Sequence, residues 1–231
     1  MQAVILAGGL GTRLGELTRA VPKPMVPVAG RPYLEHQLRE LARQQLTDVV
    51  LLTGYLGEQI AEYFGAGDHW GLNIRYSREA TPQGTGGALR DAVRLLAETF
   101  VLIYGDSYLP IEYAPVLLRL EGSEAQAVAV VYDNREDTTV RNNVAVGDDG
   151  FVSRYAKDAA GDDLRYVEAG VLALRRSVIA QLPADGPASL EKDLYPRLVA
   201  RQQLLAYITG QRFYDIGTPE RLALIEQVLR G

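Results

Sequence analysis

A chain of 231 residues with 47% hydrophobic and 23% charged residues has ordinary globular composition and enough length for one substantial core, or one core with a small lobe. The absence of Cys and the presence of only two His, His36 and His69, exclude disulfides, thiolate metal sites, cysteine nucleophiles and three-His metal sites. A net charge of −5 offers nucleic acid no broad basic face, and no apolar run approaches the roughly 20 residues of a bilayer span.

No nucleic acid and no membrane is therefore expected as a partner. The apolar run at residues 4–7 is too short for a signal-peptide core and has no basic residues before it, so a cytoplasmic location is expected. Chemistry must rest on carboxylates, Arg, Lys and backbone amides.

The first predicted strand, residues 3–7, leads directly into Leu6-Ala7-Gly8-Gly9-Leu10-Gly11-Thr12-Arg13-Leu14. Three glycines in four positions let backbone N–H groups surround phosphate oxygens, and Arg13 adds a planar donor fork. The alternative is a glycine turn feeding a dinucleotide-binding helix. That fingerprint wants Gly where Leu14 stands, and the eight-residue phosphate loop also fails because no Gly-Lys-Ser/Thr appears. Further on, Pro22-Lys23-Pro24 holds a lysine between two prolines, so it loses less entropy on meeting a phosphate than a free surface lysine would. Its bland alternative is a solvated charge in a rigid turn.

Short β-branched runs at 48–53, 72–77 and 100–104 predict further strands. Leu34, Leu38, Leu41 and Ala42 fall on one helical face, as do Ala88, Val93, Leu96 and Ala97 more loosely. This alternation predicts a parallel sheet wrapped by helices, with ligands at the carboxyl ends of strands, after Ala7 and after Tyr104. After about residue 121 the pattern turns to strands at 125–132, 144–146, 151–155 and 166–174, which predicts a mixed sheet or a small second lobe. Residues 189–200 and 219–229 read as helices, the second with Thr218 as N-cap and Pro219 in its first turn. Trp70, His36 and the thirteen Tyr read as packing or surface residues.

The glycine loop with Arg13 and the Pro-Lys-Pro that follows resemble the sugar 1-phosphate nucleotidyltransferases, the nucleotide-sugar pyrophosphorylases. The resemblance runs nearly end to end: Gly54-Tyr55, Pro82-Gln83-Gly84-Thr85-Gly86-Gly87-Ala88, Gly105-Asp106-Ser107, Glu168-Ala169-Gly170 and Phe213 through Glu220. It implies an α/β fold with a Rossmann-like, mixed but mostly parallel central sheet flanked by helices, and a small sugar-binding β lobe. It implies a single nucleotidyltransferase domain over 1–231, with 1–121 mainly nucleotide-binding and 122–231 mainly sugar-binding. The implied activity joins a nucleoside triphosphate to a sugar 1-phosphate and releases pyrophosphate.

By the same resemblance Asp106 and Asp215 hold Mg2+, Arg13 meets the departing pyrophosphate, and Lys23 meets charge on the phosphates around the reacting centre. Two carboxylates, α-phosphate oxygens and waters complete the octahedron that Mg2+ prefers. Asp215 has an alternative as a cap for the helix beginning near Thr218. The attacking phosphate oxygen needs no base, since its second pKa is about 6. The nucleotide site implied comprises Leu6, Ala7, Gly8, Gly9, Gly11, Thr12, Arg13, Glu79, Pro82, Gly84 and Thr85.

Glu79 stands where the base edge is read. A carboxylate only accepts hydrogen bonds, which suits the N1–H and N2–H2 of guanine and makes GTP the expected donor, unless Glu79 is simply exposed. Asn143, Lys157, Glu168 and Gly170 match the sugar-phosphate site. Here Asn143-Val144-Ala145 and Glu168-Ala169-Gly170 depart from the common Gly-Val-Val and Asn-Ala-Gly, placing longer polar groups at the sugar.

Ser189-Leu190-Glu191-Lys192-Asp193-Leu194-Tyr195-Pro196 is similar to a segment of manno-heptose and mannose 1-phosphate guanylyltransferases; its alternative is a helix with ordinary surface charges. Competing functions are uridylyl or thymidylyl transfer to glucose 1-phosphate or a modified sugar, molybdopterin guanylyl transfer, and a nucleotide-sugar-binding regulator. The regulator should have lost one of Arg13, Lys23, Asp106 or Asp215, and the molybdopterin enzymes have their lysine closer to the loop. A homodimer is a candidate assembly.

Overall fold

Seven strands form one sheet, buried along most of its central strands, in the computed structural model, which describes residues 1–136, 138–157 and 161–230. They are β1 (Gln2–Ala7), β2 (Asp48–Thr53), β3 (Asn73–Arg78), β4 (Thr99–Tyr104), β5 (Ala127–Tyr132), β6 (Val167–Arg175) and β7 (Leu204–Thr209). Their order is β7-β5-β6-β4-β1-β2-β3. Only β6 runs antiparallel to its neighbours, β4 and β5; the other four pairings are parallel. Strands such as β5, buried along their whole length, are the expected sequence of a sheet covered on both faces.

The covering helices are α1 (Tyr33–Arg43), α2 (Gly57–Phe64), α3 (Gly84–Asp91), α4 (Ala114–Glu121), α5 (Tyr195–Ala200) and α6 (Pro219–Arg230). Alternate side chains of each strand serve opposite faces. Ala3, Ile5 and Ala7 of β1 pack with Leu34, Leu38 and Leu41 of α1, Ile60 and Phe64 of α2, and Val116 and Leu120 of α4. Val4 faces the other way, into a cluster with Leu89 of α3 and Tyr195 and Leu198 of α5. A third small cluster, Val28, Tyr33, Ile216 and Ile225, seats α6 against the start of α1. No helix among the described residues is long and apolar enough to cross a membrane.

Most predicted strands lie within one or two residues of the observed ones. Of the two expectations for the second half the mixed sheet holds: residues 127–132 and 167–175 enter the main sheet, and a small lobe remains as an antiparallel ribbon of Val144–Val146 with Val152–Tyr155. The cause is β6, which inserts between β4 and β5 and so fuses both halves into one sheet. The predicted helix at 189–200 opens as a π-helical turn, Leu190–Leu194, and becomes α-helical only at Tyr195. Pro196 lies in the first turn of α5, where its missing N–H costs least. β7, α2 and α4 have no counterpart in the sequence reading. Thr218 accepts a hydrogen bond from the Arg221 N–H at 3.4 Å, as its capping position implies.

Leu38 is 0% exposed under β1, whereas Leu118 on α4 is 64% exposed. Leu38→Ala should therefore cost about 2–5 kcal/mol of stability through lost burial and a residual cavity. Leu118→Ala should stay within about 0.5 kcal/mol of the native protein. Urea unfolding followed by circular dichroism compares the two directly.

Candidate active site

The loop leaving β1 is shaped by what glycine permits. Gly11 adopts φ 65°, and a Cβ there would lie 2.9 Å from both Lys23 Cβ and Thr18 Cγ2, so conformation and space both demand glycine. Thr18 donates to the Gly11 carbonyl at 3.0 Å and closes the loop on itself. The stem of Lys23 thus packs against the loop, and the turn Lys23–Met25 points its ammonium at the end of β4. There Lys23 Nζ meets Asp106 Oδ2 at 2.6 Å; Lys23 is buried and Asp106 partly open to the cleft.

Asp106 and Asp215 come together through backbone pairing. Gly105 donates to the Leu6 carbonyl at 3.0 Å and continues the β4–β1 ladder. Beyond it, Ser107–Tyr108 pairs with Tyr214–Asp215 so that Asp215 lies opposite Ser107, and the Ile216 N–H donates to the Asp106 carbonyl at 3.1 Å. Asp215 Oδ1 accepts the Gly217 N–H at 2.7 Å, and Oδ2 pairs with Arg221 at 2.9 Å. Asp215 therefore braces the entry to α6, as its capping alternative required, while lying beside Asp106. The exposed Arg13 reaches the same edge: a Cβ on Gly217 would sit 3.4 Å from Arg13 Nη2.

Burial first, then the negative fields of Asp106 and Asp215, hold the buried Tyr33 hydroxyl well above its ordinary pKa. Asp106 and Asp215 thus both lie within electrostatic reach of this one hydroxyl. Asp106 gives one oxygen to Lys23. Among the described residues no group of three or more His, Cys, Asp or Glu could hold a metal ion. A divalent ion here would take two carboxylates at most and complete its shell with phosphate oxygens and water, which fits Mg2+, an ion that keeps several waters.

On the other side of the loop, Glu79 continues β3 and is half-buried, not exposed. Its Oε2 accepts the Gln83 N–H at 2.9 Å. Its Oε1 lies against Gly8 and Gly54, where added Cβ atoms would approach to 3.1 and 2.8 Å. Burial raises its pKa, the Gln83 N–H opposes the shift, and Asp91 adds to it. Gly84, at φ 73°, turns the chain into α3 so closely under the Ala188 carbonyl that a Cβ would lie 2.5 Å from it.

A cleft of about 460 Å³ collects these groups. Leu6, Gly8, Gly9, Gly11, Thr12, Arg13, Lys23, Glu79, Pro82, Gly84, Thr85, Asp106 and Lys157 all line it. Ala7 does not; its side chain is buried in the sheet. Asn143, Glu168 and Gly170 form a separate unit alongside. Asn143 Oδ1 accepts the Glu168 N–H at 2.9 Å, Glu168 Oε1 accepts the Gly170 N–H at 2.8 Å, and Gly170 presses on Ser107 where β6 bulges. Asp215 likewise stands outside the lining, behind Gly217.

Glu191 and Tyr104 line the cleft without having been singled out as site residues. The Glu191 side chain, only 10% exposed, takes hydrogen bonds from Ser189 Oγ at 2.8 Å and from Thr85 Oγ1 and Tyr104 OH, each at 3.2 Å. Lys157 Nζ stands 3.6 Å away. Its segment was visible in the sequence, but a surface-helix reading fails because the π-helical turn directs this carboxylate inward. Burial would raise the Glu191 pKa, but its own N–H, Ser189, Lys157 and Thr85 together hold it below the usual value. Glu168 goes the opposite way: burial pushes it up to about 8, aided by Glu191 and Asp106 and opposed by the Gly170 N–H and Lys157.

A mostly parallel sheet, a glycine loop after its central strand and paired carboxylates at the next strand end are the architecture of a nucleotidyl transferase. The model of the Nucleotidyl transferase family matches residues 2–230, and the chain belongs to that family. It is 30% identical to the D-glycero-alpha-D-manno-heptose 1-phosphate guanylyltransferases of Campylobacter jejuni and Aneurinibacillus thermoaerophilus, covering 95% of this chain and 96% and 94% of theirs. It is also 30% identical to the mannose-1-phosphate guanylyltransferase of Mycobacterium tuberculosis over 95% of this chain, and spans 62% of that relative's length. Among solved structures, HddC from Yersinia pseudotuberculosis complexed with GMP-PN superposes with a TM-score of 0.81 at 27% identity over 99% of both chains.

The elevated Glu168 pKa has a defined consequence for stability. Between its ordinary 4.5 and about 8 the native state keeps a proton that the unfolded chain has lost, so stability falls as pH rises through that window. Glu168→Gln preserves an acceptor for the Gly170 N–H but cannot titrate. Its melting temperature should gain on the native protein steadily from pH 5 to about 8 and then level off, as followed by calorimetry across pH.

Proposed function

We propose that this protein transfers a guanylyl group from GTP to a manno-configured sugar 1-phosphate, mannose or manno-heptose 1-phosphate, giving a GDP-sugar and pyrophosphate in the cytoplasm. The observation that carries the reading is the meeting of Lys23, Asp106 and the Arg13–Gly217 edge at the mouth of the glycine loop. The guanylyltransferase relatives that match this chain along almost their whole lengths support the choice of base and sugar.

The reaction forms a bond between a sugar-phosphate oxygen and the α-phosphorus and breaks the bond from that phosphorus to the β-phosphate oxygen. The protein's contribution is positioning and charge stabilisation. The amides of residues 8–13 hold the triphosphate, and Arg13 grips the departing pyrophosphate with two donors, which a lysine could not do. Lys23 offsets negative charge around the α-phosphorus. Asp106 and Asp215 would hold Mg2+, which would supply further neutralisation of phosphate charge. Glu79 accepts from the guanine edge, and Lys157, with Asn143, Glu168 and Gly170 behind it, serves the sugar phosphate.

Pyrophosphate release from GTP, UTP, dTTP, ATP and CTP, each paired with mannose, manno-heptose and glucose 1-phosphates, tests the reading. GTP with a manno sugar should give the highest kcat/KM; a preference for UTP or dTTP would overturn the guanylyl assignment. Glu79→Gln should reduce GTP use more than UTP use, since the amide brings unwanted donors to the guanine edge.

Asp106→Asn should keep the native circular dichroism spectrum and lose at least tenfold in kcat, about 1.4 kcal/mol of transition-state stabilisation. Near-normal turnover would remove Asp106 from the reacting centre.

A further inference from the structure

We infer that Gln37, on the buried face of α1, is a positioning residue that fixes the Asp106 carboxylate from behind the cleft. Gln37 is 4% exposed and shares its helical face with Leu34, Leu38 and Leu41, where the core pattern calls for an apolar side chain. Its Nε2 donates to the Tyr104 carbonyl at 3.0 Å and to the Ser107 carbonyl at 2.7 Å. Those two carbonyls bracket Gly105 and Asp106, the residues at which the chain leaves β4 and enters the cleft.

The amide can sit only one way round, because an oxygen in place of Nε2 would face two carbonyl oxygens. Its own Oε1 is buried without a partner. An apolar residue would spare the protein that orphaned acceptor but would leave both carbonyls without this donor, so what glutamine adds here is its hold on the chain at 104–107. Gln37 does not line the cleft and so reaches substrate only through the loop it holds.

Asp106 is thereby held from three directions. Gln37 fixes the backbone on both sides of it, the Ile216 N–H fixes its carbonyl, and Lys23 fixes one carboxylate oxygen. A shift of about 1 Å in a reacting geometry can cost about a hundredfold in rate, so a tether of this kind should be visible in turnover.

This inference rests on the reading of Asp106 given under Proposed function, and Asp106→Asn serves as its control. Gln37→Met keeps the length and removes both donations; Gln37→Glu keeps the shape and sets an acceptor against both carbonyls. The measurements are kcat and KM for GTP, Mn2+ binding by electron paramagnetic resonance, and hydrogen exchange of the 105–108 amides. Gln37→Met should lower kcat at least tenfold with KM for GTP within twofold, weaken Mn2+ binding, and speed exchange at 105–108, while the two carbonyls it leaves without this donor lower the melting temperature without unfolding the protein. Gln37→Glu should do the same more severely, with partial recovery as pH falls and its carboxyl regains a donor.

If either folded variant keeps native kcat, Mn2+ affinity and local exchange while Asp106→Asn is inactive, the positioning role is wrong and the site reading stands. If Asp106→Asn itself is fully active, the site reading fails first.

Discussion

Gly105 approaches β1 so closely that a Cβ on it would lie 2.4 Å from the Leu6 carbonyl, a distance no side chain tolerates. That contact extends the β1–β4 pairing one residue past the end of β4, and the rest of the site is arranged around it. The chain runs outward from β1 through β2 to β3 and then crosses back to place β4 on the other flank of β1. Two adjacent parallel strands therefore send their following loops in opposite directions and open a crevice between them, the place where open α/β sheets receive ligands. The glycine loop comes from one strand and Asp106 from the other. Without the Gly105 contact the two loops would diverge before they could face a common ligand.

The crevice lies in an acidic chain, so its cations have to be local and held in place. Lys23 is buried and paired with Asp106, and Asp215 is paired with Arg221. Taking charges out of water carries a desolvation cost that offsets much of their attraction, so these partly buried pairs are poor candidates for simple stabilisers. Their alternation of sign across a few ångströms suits a ligand that is itself anionic and arrives with a cation. The exposed Arg13 differs: it packs along Gly217 and stays open to the cleft, free of the desolvation that Lys23 bears.

Local rules made much of this legible in the sequence. The glycine loop and Pro-Lys-Pro are read from backbone chemistry confined to a few residues, and the structure brings both to one cleft with Asp106. Pairing partners obey no such local rule: nothing in residues 167–175 says that they insert between β4 and β5, which is why the sequence left a mixed sheet and a small second lobe both open there. β7 is a short apolar run at the sheet edge, a pattern that periodicity alone does not separate from helix. Gln37 left a usable trace as a polar residue on an otherwise apolar helical stripe. Glu191 left a weaker one, since its inward direction depends on a π-helical turn that no spacing rule anticipates.

The wall opposite the glycine loop limits where phosphate can sit. A helix start is ordinarily an anion site because its first amides lack partners. At α3 the Gly86 and Gly87 amides both donate to the Ala188 carbonyl, and Thr85 Oγ1 takes the Leu190 N–H at 2.8 Å. Glu191 then adds a carboxylate beside Thr85, which makes this wall still less hospitable to a phosphate. The donors that remain for a triphosphate are on the other side, in residues 8–13 and Lys23. The same contacts tie 84–91 to 188–191, and through Glu191 to Tyr104 and Lys157, so the α3 wall is rigid where it borders Glu79. A stiff wall with a half-buried carboxylate suits recognition of a flat, neutral ring, and a cationic loop edge suits phosphates. The two ends of the cleft thus differ in chemistry, one suited to a neutral ring and the other to anions.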